Sequence, residues 1–298
     1  MLIMARKTSE ETKSQATTET KKLRAVSAKT IVAKTGRGRG RPTGTDTSLL
    51  DKKTIITVAL QLTKTAPLQD VSIVKVAKEL GVTPALIHYY LGGRDPLTSG
   101  VMNMFYKELV ESWPPEQGGW RHNIEVTAEA MYRAYIRYPG VAAYVISHNR
   151  YRLFQEVAEG ETDYGVIVFE KMLSTVRGMG FDAARTSMYA HLIVDFIIGN
   201  AHATVRHRWP GEHKEFLDAK LAALDPKVFP AVDFVRESYT TLNALTTFAA
   251  GLNLLFDALE LALNRMNLGN ALPPVDTHVT SEAPVATKRP ARSRKASV

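Results

Sequence analysis

The chain has 298 residues, of which 45% are hydrophobic, and it contains no cysteine. This length and apolar content are enough for a sizeable core in one large domain or two smaller ones. The lack of cysteine excludes a disulfide framework, a thiolate zinc site and a cysteine nucleophile. Residues 1–10 lack the apolar stretch of a secretory signal, and no run of about 18 apolar residues indicates a membrane span. We therefore expect a soluble, cytoplasmic protein that makes no membrane contact.

The formal net charge of +8 is unevenly distributed along the chain. Residues 1–47 contain 11 Lys and Arg against 4 Asp and Glu, and residues 270–298 contain 5 against 2. The residues between them contain 22 against 24, so a slightly acidic body lies between two basic tails. Both tails lack apolar periodicity, and we expect them to be disordered. Basic tails indicate a polyanionic partner, the alternative being that they serve only solubility.

Residues 48–269 have the periodicity of amphipathic helices almost throughout, and no segment alternates as a strand would. The sequence therefore predicts an all-α fold. The helices are expected over residues 49–64, 73–80, 84–91, 95–113, 120–138, 141–146, 162–179, 183–205, 213–224 and 243–267. The helix over 183–205 is apolar on almost every side, which is typical of a helix in a core or a subunit interface.

Residues 72–91 have the pattern of a helix-turn-helix. Ser72 is a good N-cap for the first short helix, and Gly81 follows that helix where a left-handed backbone is needed. Thr83 caps the second helix, in which Ile87 and Leu91 are placed to reach a core. The remaining positions of the second helix are then expected to point outward, namely Pro84, Ala85, His88, Tyr89 and Tyr90. An exposed run of His and Tyr suits the DNA major groove, the alternative being a plain three-helix packing unit.

This segment resembles the DNA-binding domain of TetR-family transcriptional regulators. The family pattern is matched by Val82-Thr83, four positions, His88-Tyr89-Tyr90-Leu91, two positions, and then Arg94-Asp95 and Leu97. Three positions depart from it, with His88 for Tyr, Leu91 for Phe and Arg94 for Lys, and each keeps the physical role. The resemblance implies a three-helix DNA-binding domain at 48–98, followed by a helical ligand-binding and dimerisation domain at 99–269.

The resemblance also assigns roles within the DNA-binding domain. Phosphate contacts fix the register of a protein on DNA, whereas base-edge contacts specify the sequence. The residues expected to position the DNA backbone are Thr83, His88, Tyr90 and Arg94. The residues expected to approach base edges are Pro84, Ala85, Leu86 and Tyr89.

The basic arm at 1–47 contains Arg39-Gly40-Arg41-Pro42, which is similar to the core of an AT-hook. An extended Arg-Gly-Arg can lie deep in a narrow A·T minor groove with both guanidinium groups directed inward. Arg39 and Arg41 are therefore candidate DNA contacts beside the first helix. The alternative is a solvated linker. The tail at 270–298 has no specific signature.

The helices over 99–269 resemble the regulatory half of the tetracycline-repressor class. This resemblance implies that the helices at 183–205 and 243–267 pair with their copies in a homodimer, the alternative being that both belong to a monomer core. A two-fold dimer presents two recognition helices, so the operator is expected to be palindromic. The family's usual sense of regulation is repression, relieved when an unknown small-molecule effector releases the DNA.

The same comparison suggests which residues line the effector pocket. They are Thr127, Met131, Tyr144, Ser147 and His148. Tetracycline repressors have a metal-ligating His about where Tyr144 stands, so magnesium–tetracycline is not the expected ligand, and no metal or cofactor is implied. His148, His191 and Asp195 lie in apolar surroundings, where such residues are more often hydrogen-bonded in a core than in contact with a ligand.

Two other classes of function fit the sequence less well. An enzyme is disfavoured because the chain has no G-x-S-x-G, Walker or H-E-x-x-H motif, and the spacing of His202, His207 and His213 matches no metal site. The second is an architectural DNA-binding protein that acts through its tails without sequence preference. We expect instead a sequence-specific regulator that acts in the cytoplasm, on the nucleoid.

Overall fold

The computed structural model describes residues 50–148 and 153–269, and within them all regular structure is helical. The α-helices are numbered here in chain order, and their bounds agree with the predicted ones to within a few residues at most positions. They are α1 Lys52–Leu62, α2 Ile73–Leu80, α3 Pro84–Leu91, α4 Arg94–Glu111, α5 Trp120–Arg137, α6 Pro139–Ser147, α7 Tyr164–Arg177, α8 Ala183–Val205, α9 Lys214–Ala222, α10 Pro230–Tyr239 and α11 Ala244–Asn267. The tails, with Arg39 and Arg41, lie outside the described residues.

Local capping sets the bounds of the first three helices. The Asp51 carboxylate accepts a hydrogen bond of 2.6 Å from the Thr54 amide, so α1 begins at Lys52 and not at residue 49. The Ser72 and Thr83 hydroxyls cap α2 and α3 in the same way. Gly81 ends α2 with a φ of 67°, a left-handed conformation that glycine adopts at little cost. These contacts are local, which is why the sequence predicted α2 and α3 correctly.

The first three helices form the reading head, defined here as residues 50–92. Ile55 and Ile56 of α1 are buried, as are Val76 and Ala77 of α2 and Ile87 of α3. The small side chain of Ala77 allows α2 and α3 to approach closely at their crossing. The next helix, α4, starts beside the head and passes through residues 98 and 99 without interruption, so the predicted division between domains falls inside one continuous helix.

The helices after the head form one bundle around a shared core. The middle of α5 packs along α8, while α4 packs on α7. Tyr132 of α5 stacks on Phe248 of α11 with ring centroids 4.2 Å apart, and Phe248 in turn stacks on Phe196 of α8. Burying these aromatic rings against each other contributes more than area alone, because stacked rings also attract one another. This core holds α5, α8 and α11 as the scaffold of the regulatory half.

Residues 206–242 differ from the rest of the described chain. They form α9 and α10, neither of which contains a buried residue. The sequence predicted one helix here, over 213–224, and missed α10. The missed helix begins at Pro230, a favourable first position, and its Phe234 side chain is 88% exposed.

Within the described residues, one helix, α11, is long and apolar enough to cross a membrane, which by itself does not indicate a membrane span. Here α11 packs in the bundle through Phe248, Leu252 and Phe256, which are buried at helical spacing. Its Asp257 carboxylate forms an ion pair of 2.9 Å with Arg121 of α5. A buried stripe of this kind also occurs in core helices that never meet a membrane.

Candidate DNA-reading face and effector cavity

The outer face of α3 presents most of the residues that the sequence assigned to DNA. Thr83, Pro84, Ala85, His88 and Tyr89 are exposed, and the Tyr89 side chain is 83% exposed. The opposite face of the helix is anchored through buried Ile87 and Leu91. The helix therefore holds a polar and aromatic surface firmly outward, as a helix that enters a major groove requires.

Two of the assigned residues are placed differently. Tyr90 does not point outward as expected but is half-buried and packs against the core of the head. Its ring supports that of Tyr89 edge-on, with centroids 5.4 Å apart. Leu86 is also half-buried. Tyr90 is covered because residues of α1 and α4 lie beside it.

Arg94, the first residue of α4, is exposed beside the end of α3. Its guanidinium group donates a hydrogen bond to the carbonyl oxygen of Gln69, in the 3₁₀ turn between α1 and α2. This contact fixes the direction of the side chain relative to the head. A guanidinium group has five N–H donors, so this bond is compatible with the predicted phosphate contact.

A cavity of about 460 Å³ lies within the regulatory half, in the size range of small-molecule sites. Most of its wall is apolar or aromatic, and a few polar side chains interrupt it. The lining residues are Tyr106, Met131, Tyr135, Val145, His148, Leu153, Val168, Phe169, Met172, Leu173, Ser187, Ala190, His191, Val194, Asp195 and Ile198.

Only two of the five residues that the sequence assigned to the pocket line the cavity. Met131 and His148 line the cavity. Tyr144 lies next to the cavity, and its ring stacks on that of His148 with centroids 4.4 Å apart. Thr127 is buried elsewhere in the core, and Ser147 is exposed with its hydroxyl donating to the Ala143 carbonyl. Thr127 lies one turn before Met131 on the same face of α5, beyond the cavity, and Ser147 lies on the exposed side of α6. An ungapped comparison could not distinguish these positions.

The sequence missed most of the cavity wall, in particular a stripe along α8. Ser187, Ala190, His191, Val194, Asp195 and Ile198 line it at spacings of three and four residues. The sequence favoured buried core positions for His191 and Asp195, and this is wrong. Their side chains are 64% and 63% exposed and lie 3.2 Å apart. Two polar residues one turn apart on an otherwise apolar helix were the available signal for a wall that meets solvent.

Two buried tyrosines, Tyr106 and Tyr135, line the cavity. The hydroxyl groups of Tyr135 and Tyr106 are hydrogen-bonded, and burial raises the pKa of the Tyr135 phenol. The Tyr135 phenol is therefore protonated at neutral pH, because an ordinary tyrosine already titrates near 10. This part of the cavity wall is thus aromatic and has two hydroxyl groups.

Comparison with known proteins identifies the family. The family model described as "Tetracyclin repressor-like, C-terminal domain" matches residues 114–263. The chain belongs to the tetracycline-repressor (TetR) family. No curated protein matches the TetR-family chain in sequence.

Solved structures share the fold of this TetR-family regulator. Apo ActR from Streptomyces coelicolor is 21% identical, with a TM-score of 0.60 over 73% of this chain and 98% of that one. The regulator SCO7222 from the same organism is 18% identical, with a TM-score of 0.56 over 70% and 97%. A single-substitution variant of TetR from Acinetobacter baumannii AYE, in complex with minocycline, is 16% identical, with a TM-score of 0.51 over 77% and 100%. The predicted fold, a helix-turn-helix domain followed by a helical domain, is confirmed.

In this TetR-family regulator, α6 joins the cavity to the reading head. Its second residue, Gly140, donates a backbone hydrogen bond of 2.8 Å to the Thr63 carbonyl at the end of α1. A Cβ atom at position 140 would lie 2.0 Å from the Ala66 carbonyl oxygen, so only glycine allows this approach. The other end of α6 carries Val145 and is followed by His148, both in the cavity wall. The nine residues of α6 therefore connect the cavity to the reading head directly.

A hydrogen-bonded network supports this joint. The Tyr138 hydroxyl donates to the Glu108 carboxylate of α4 at 2.6 Å, and the Gln61 amide of α1 lies 3.4 Å from the same hydroxyl. Burial and the neighbouring Glu108 carboxylate raise the pKa of Tyr138 to about 12. The phenol therefore remains a hydrogen-bond donor throughout the physiological pH range, and it ties α1 to α4 beside Gly140.

Proposed function

We propose that this TetR-family protein is a ligand-responsive transcriptional repressor that binds a palindromic operator as a homodimer and is released by a small molecule. The observation that carries the proposal is α6, which contacts the reading head through Gly140 and borders the cavity through Val145. A ligand can shift such an equilibrium only if it binds one arrangement of the head better than the other. A cavity whose wall contacts the head directly supports such a difference, because a ligand that moves α6 also acts on the head.

The structural neighbours support an effector of low molecular weight. ActR has been solved in complex with actinorhodin and in complex with (S)-DNPA, each with a TM-score of 0.58 to this chain. For this chain, the aromatic wall around Tyr106 and Tyr135 favours a ligand with a flat apolar part and some hydrogen-bonding groups. A thermal-shift screen of such compounds, with hits tested for release of bound DNA, would identify it.

The function is tested by selecting duplexes from a pool with a randomised centre, using the full chain. A repressor of this kind is expected to enrich one palindrome whose two halves are read by two copies of α3. Footprinting of DNA upstream of its own gene should then show one protected palindrome. Enrichment of no sequence, with protection smeared along the DNA, would instead favour an architectural protein that acts through its basic tails.

A homodimer is supported by an exposed apolar stripe on α11 and the residue that follows it. Leu254, Leu261 and Leu268 recur every seven residues and are 72%, 53% and 76% exposed. Heptad spacing of leucine is typical of a helix face that packs against another helix. On α8, Leu192 is likewise 50% exposed. We propose that these faces meet their copies across the two-fold axis, in a bundle of α8, α11 and their partners.

Replacing Leu254 by glutamate tests this interface. The substitution is expected to convert the dimer into a monomer, because it places a charge in the proposed apolar contact in both subunits. Light scattering coupled to size exclusion measures the mass, and circular dichroism checks that the helices remain. Val74→Glu is the matched control, since Val74 is 63% exposed on the reading head and its replacement should leave the mass unchanged. A dimeric Leu254→Glu chain would place the interface elsewhere.

The basic arm is proposed to add affinity through Arg39 and Arg41 in the adjacent minor groove. Replacing both by alanine is expected to weaken binding about tenfold when the selected palindrome has A·T-rich flanks, and less when the flanks are G·C-rich. Competition binding with the two flank types measures the difference. The matched control replaces Arg292 and Arg294 of the other tail, which should affect both flank types alike. Equal losses on both flank types for the arm variant would mean that the arm acts as a non-specific tail.

A further inference from the structure

A second connection between the cavity and the reading head lies in the loop between α6 and α7. We name residues 153–163 the strap. At its first end Leu153 lines the cavity, and the Phe154 ring packs edge-on against Phe169 of the cavity wall with centroids 5.3 Å apart. Any molecule that fills this part of the cavity therefore touches the beginning of the strap.

The strap is held in shape by its own hydrogen bonds. The Asp163 carboxylate accepts from the backbone amides of Gln155 and Gly165, each at 2.9 Å. Gly165 also packs directly on the strap, since a Cβ atom there would lie 1.8 Å from the Leu153 carbonyl oxygen. Charge-assisted bonds to backbone amides are among the stronger hydrogen bonds. A displacement of Leu153 would therefore be passed along the loop instead of being absorbed within it.

The far end of the strap is bound to the head. The Glu161 carboxylate forms an ion pair of 2.7 Å with Lys52, the first residue of α1, and the Lys52 ammonium group keeps the pKa of Glu161 below its usual value. Asn103 of α4 fixes the loop beside this pair, donating to the Thr162 carbonyl and accepting from the Tyr164 amide at 2.9 and 2.8 Å. Lys52 is followed by the buried Ile55 and Ile56 of α1, so the pair joins the strap to the head.

We propose that the strap transmits occupancy of the cavity to the reading head through the Glu161–Lys52 pair, as a second route beside α6. The inference rests on the proposed function, because it assigns a part to the strap in ligand-responsive DNA binding. With the cavity empty, the strap holds the head in the arrangement that binds DNA. A ligand that displaces Leu153 would pull on Glu161 and loosen α1.

The test uses the full chain and the duplex obtained by selection, with the variants Leu153→Ala and Glu161→Gln and their combination. The two substitutions break the strap at opposite ends. Each substitution is expected to weaken binding to the selected duplex about three- to tenfold, because an exposed ion pair contributes little but the Glu161–Lys52 pair occurs once in each subunit. The double variant should bind no more weakly than the weaker-binding single variant, because either substitution alone already interrupts the route. Fluorescence anisotropy measures the affinities.

Asp218→Asn provides the matched control. It removes the Lys214–Asp218 pair, which has a similar length of 2.6 Å and similar side-chain exposure (49% and 44%, against 44% and 45%) but lies on α9, away from the strap. This variant should bind DNA as the unmodified chain does. Losses that multiply in the double variant, or no loss in either single variant, would overturn the proposal.

Hydrogen exchange separates this inference from the proposed function, because it needs no DNA. Leu153→Ala is expected to speed exchange of the Thr54 and Ile55 amides, which are hydrogen-bonded to Asp51 at the start of α1, and Glu161→Gln to speed exchange at residues 153–157. If each substitution speeds exchange only near its own position, the strap does not couple the cavity to the head. If each speeds exchange at the opposite end of the strap but no duplex can be selected, the strap links the two regions and the proposed repressor function is wrong.

Discussion

Replacing Tyr89 by alanine is expected to weaken sequence-specific DNA binding strongly while leaving the stability of the protein unchanged. The Tyr89 side chain is 83% exposed at the centre of the outward face of α3, so its removal costs little packing. A base contact near the lower end of its usual range contributes about 1.4 kcal/mol, and a dimer loses two, which corresponds to about 100-fold weaker binding to the selected palindrome. Anisotropy titration with this duplex and with a scrambled one measures the loss, and thermal unfolding checks the fold.

Two further variants make the Tyr89 experiment specific. Phe234→Ala removes a ring of similar exposure (88%) from α10 and should leave DNA affinity unchanged. Arg94→Ala should weaken binding to all duplexes alike and reduce the slope of log K against log salt by about one per lost phosphate contact. The assignment is contradicted if Tyr89→Ala weakens the selected and the scrambled duplex equally, or if Arg94→Ala changes the preferred sequence.

Replacing Gly140 by alanine is expected to lower stability by about 3 kcal/mol, which corresponds to a fall in Tm of about 6–12 °C for a protein of this size. The added methyl group would lie 2.0 Å from the Ala66 carbonyl oxygen and 2.7 Å from that of Thr63, so the start of α6 must move away from α1. This movement also breaks the hydrogen bond from Gly140 to Thr63. Calorimetry measures Tm, and anisotropy should show weaker DNA binding because the head loses its support.

Gly178→Ala is the control for this substitution. Gly178 follows α7 with ordinary helical angles, and the nearest atom to an added Cβ is the Ser174 carbonyl oxygen at 3.4 Å. Alanine there should leave Tm unchanged or raise it slightly, because it restricts the unfolded chain. A Gly140→Ala chain with an unchanged Tm would show that α6 is not tightly seated on the head, and the α6 route from cavity to head would then be untenable.

Most of the reading head could be predicted from local sequence signals. Ser72, Gly81 and Thr83 predicted the ends of α2 and α3, because a cap acts on backbone groups within three or four residues of itself. The outward face of α3 followed from its two buried anchors. The exception is Tyr90, whose half-buried position depends on α1 and α4 packing beside it.

The cavity could not be predicted from local sequence signals. Its wall combines side chains from α4, α5, α6, α7 and α8, so no short motif contains it. The comparison with the tetracycline-repressor class found Met131 and His148 but also included Thr127 and Ser147, which lie away from the cavity. His191 and Asp195 were visible as polar residues in an apolar helix, but whether that side of α8 met a core or an opening was not a property of the helix itself.

The sequence by itself therefore determined the helical class, the helix-turn-helix with its caps, and the family resemblance, because each depends on periodicity or on contacts between near neighbours. The tertiary structure decided which faces of the helices and loops pack against each other. It placed Gly140 against Ala66 and joined Glu161 to Lys52, which is 109 positions away. Contacts between residues so distant in the chain leave no mark in local periodicity, since they depend on how every intervening helix packs. The coupling between effector and DNA that we propose lies in these contacts.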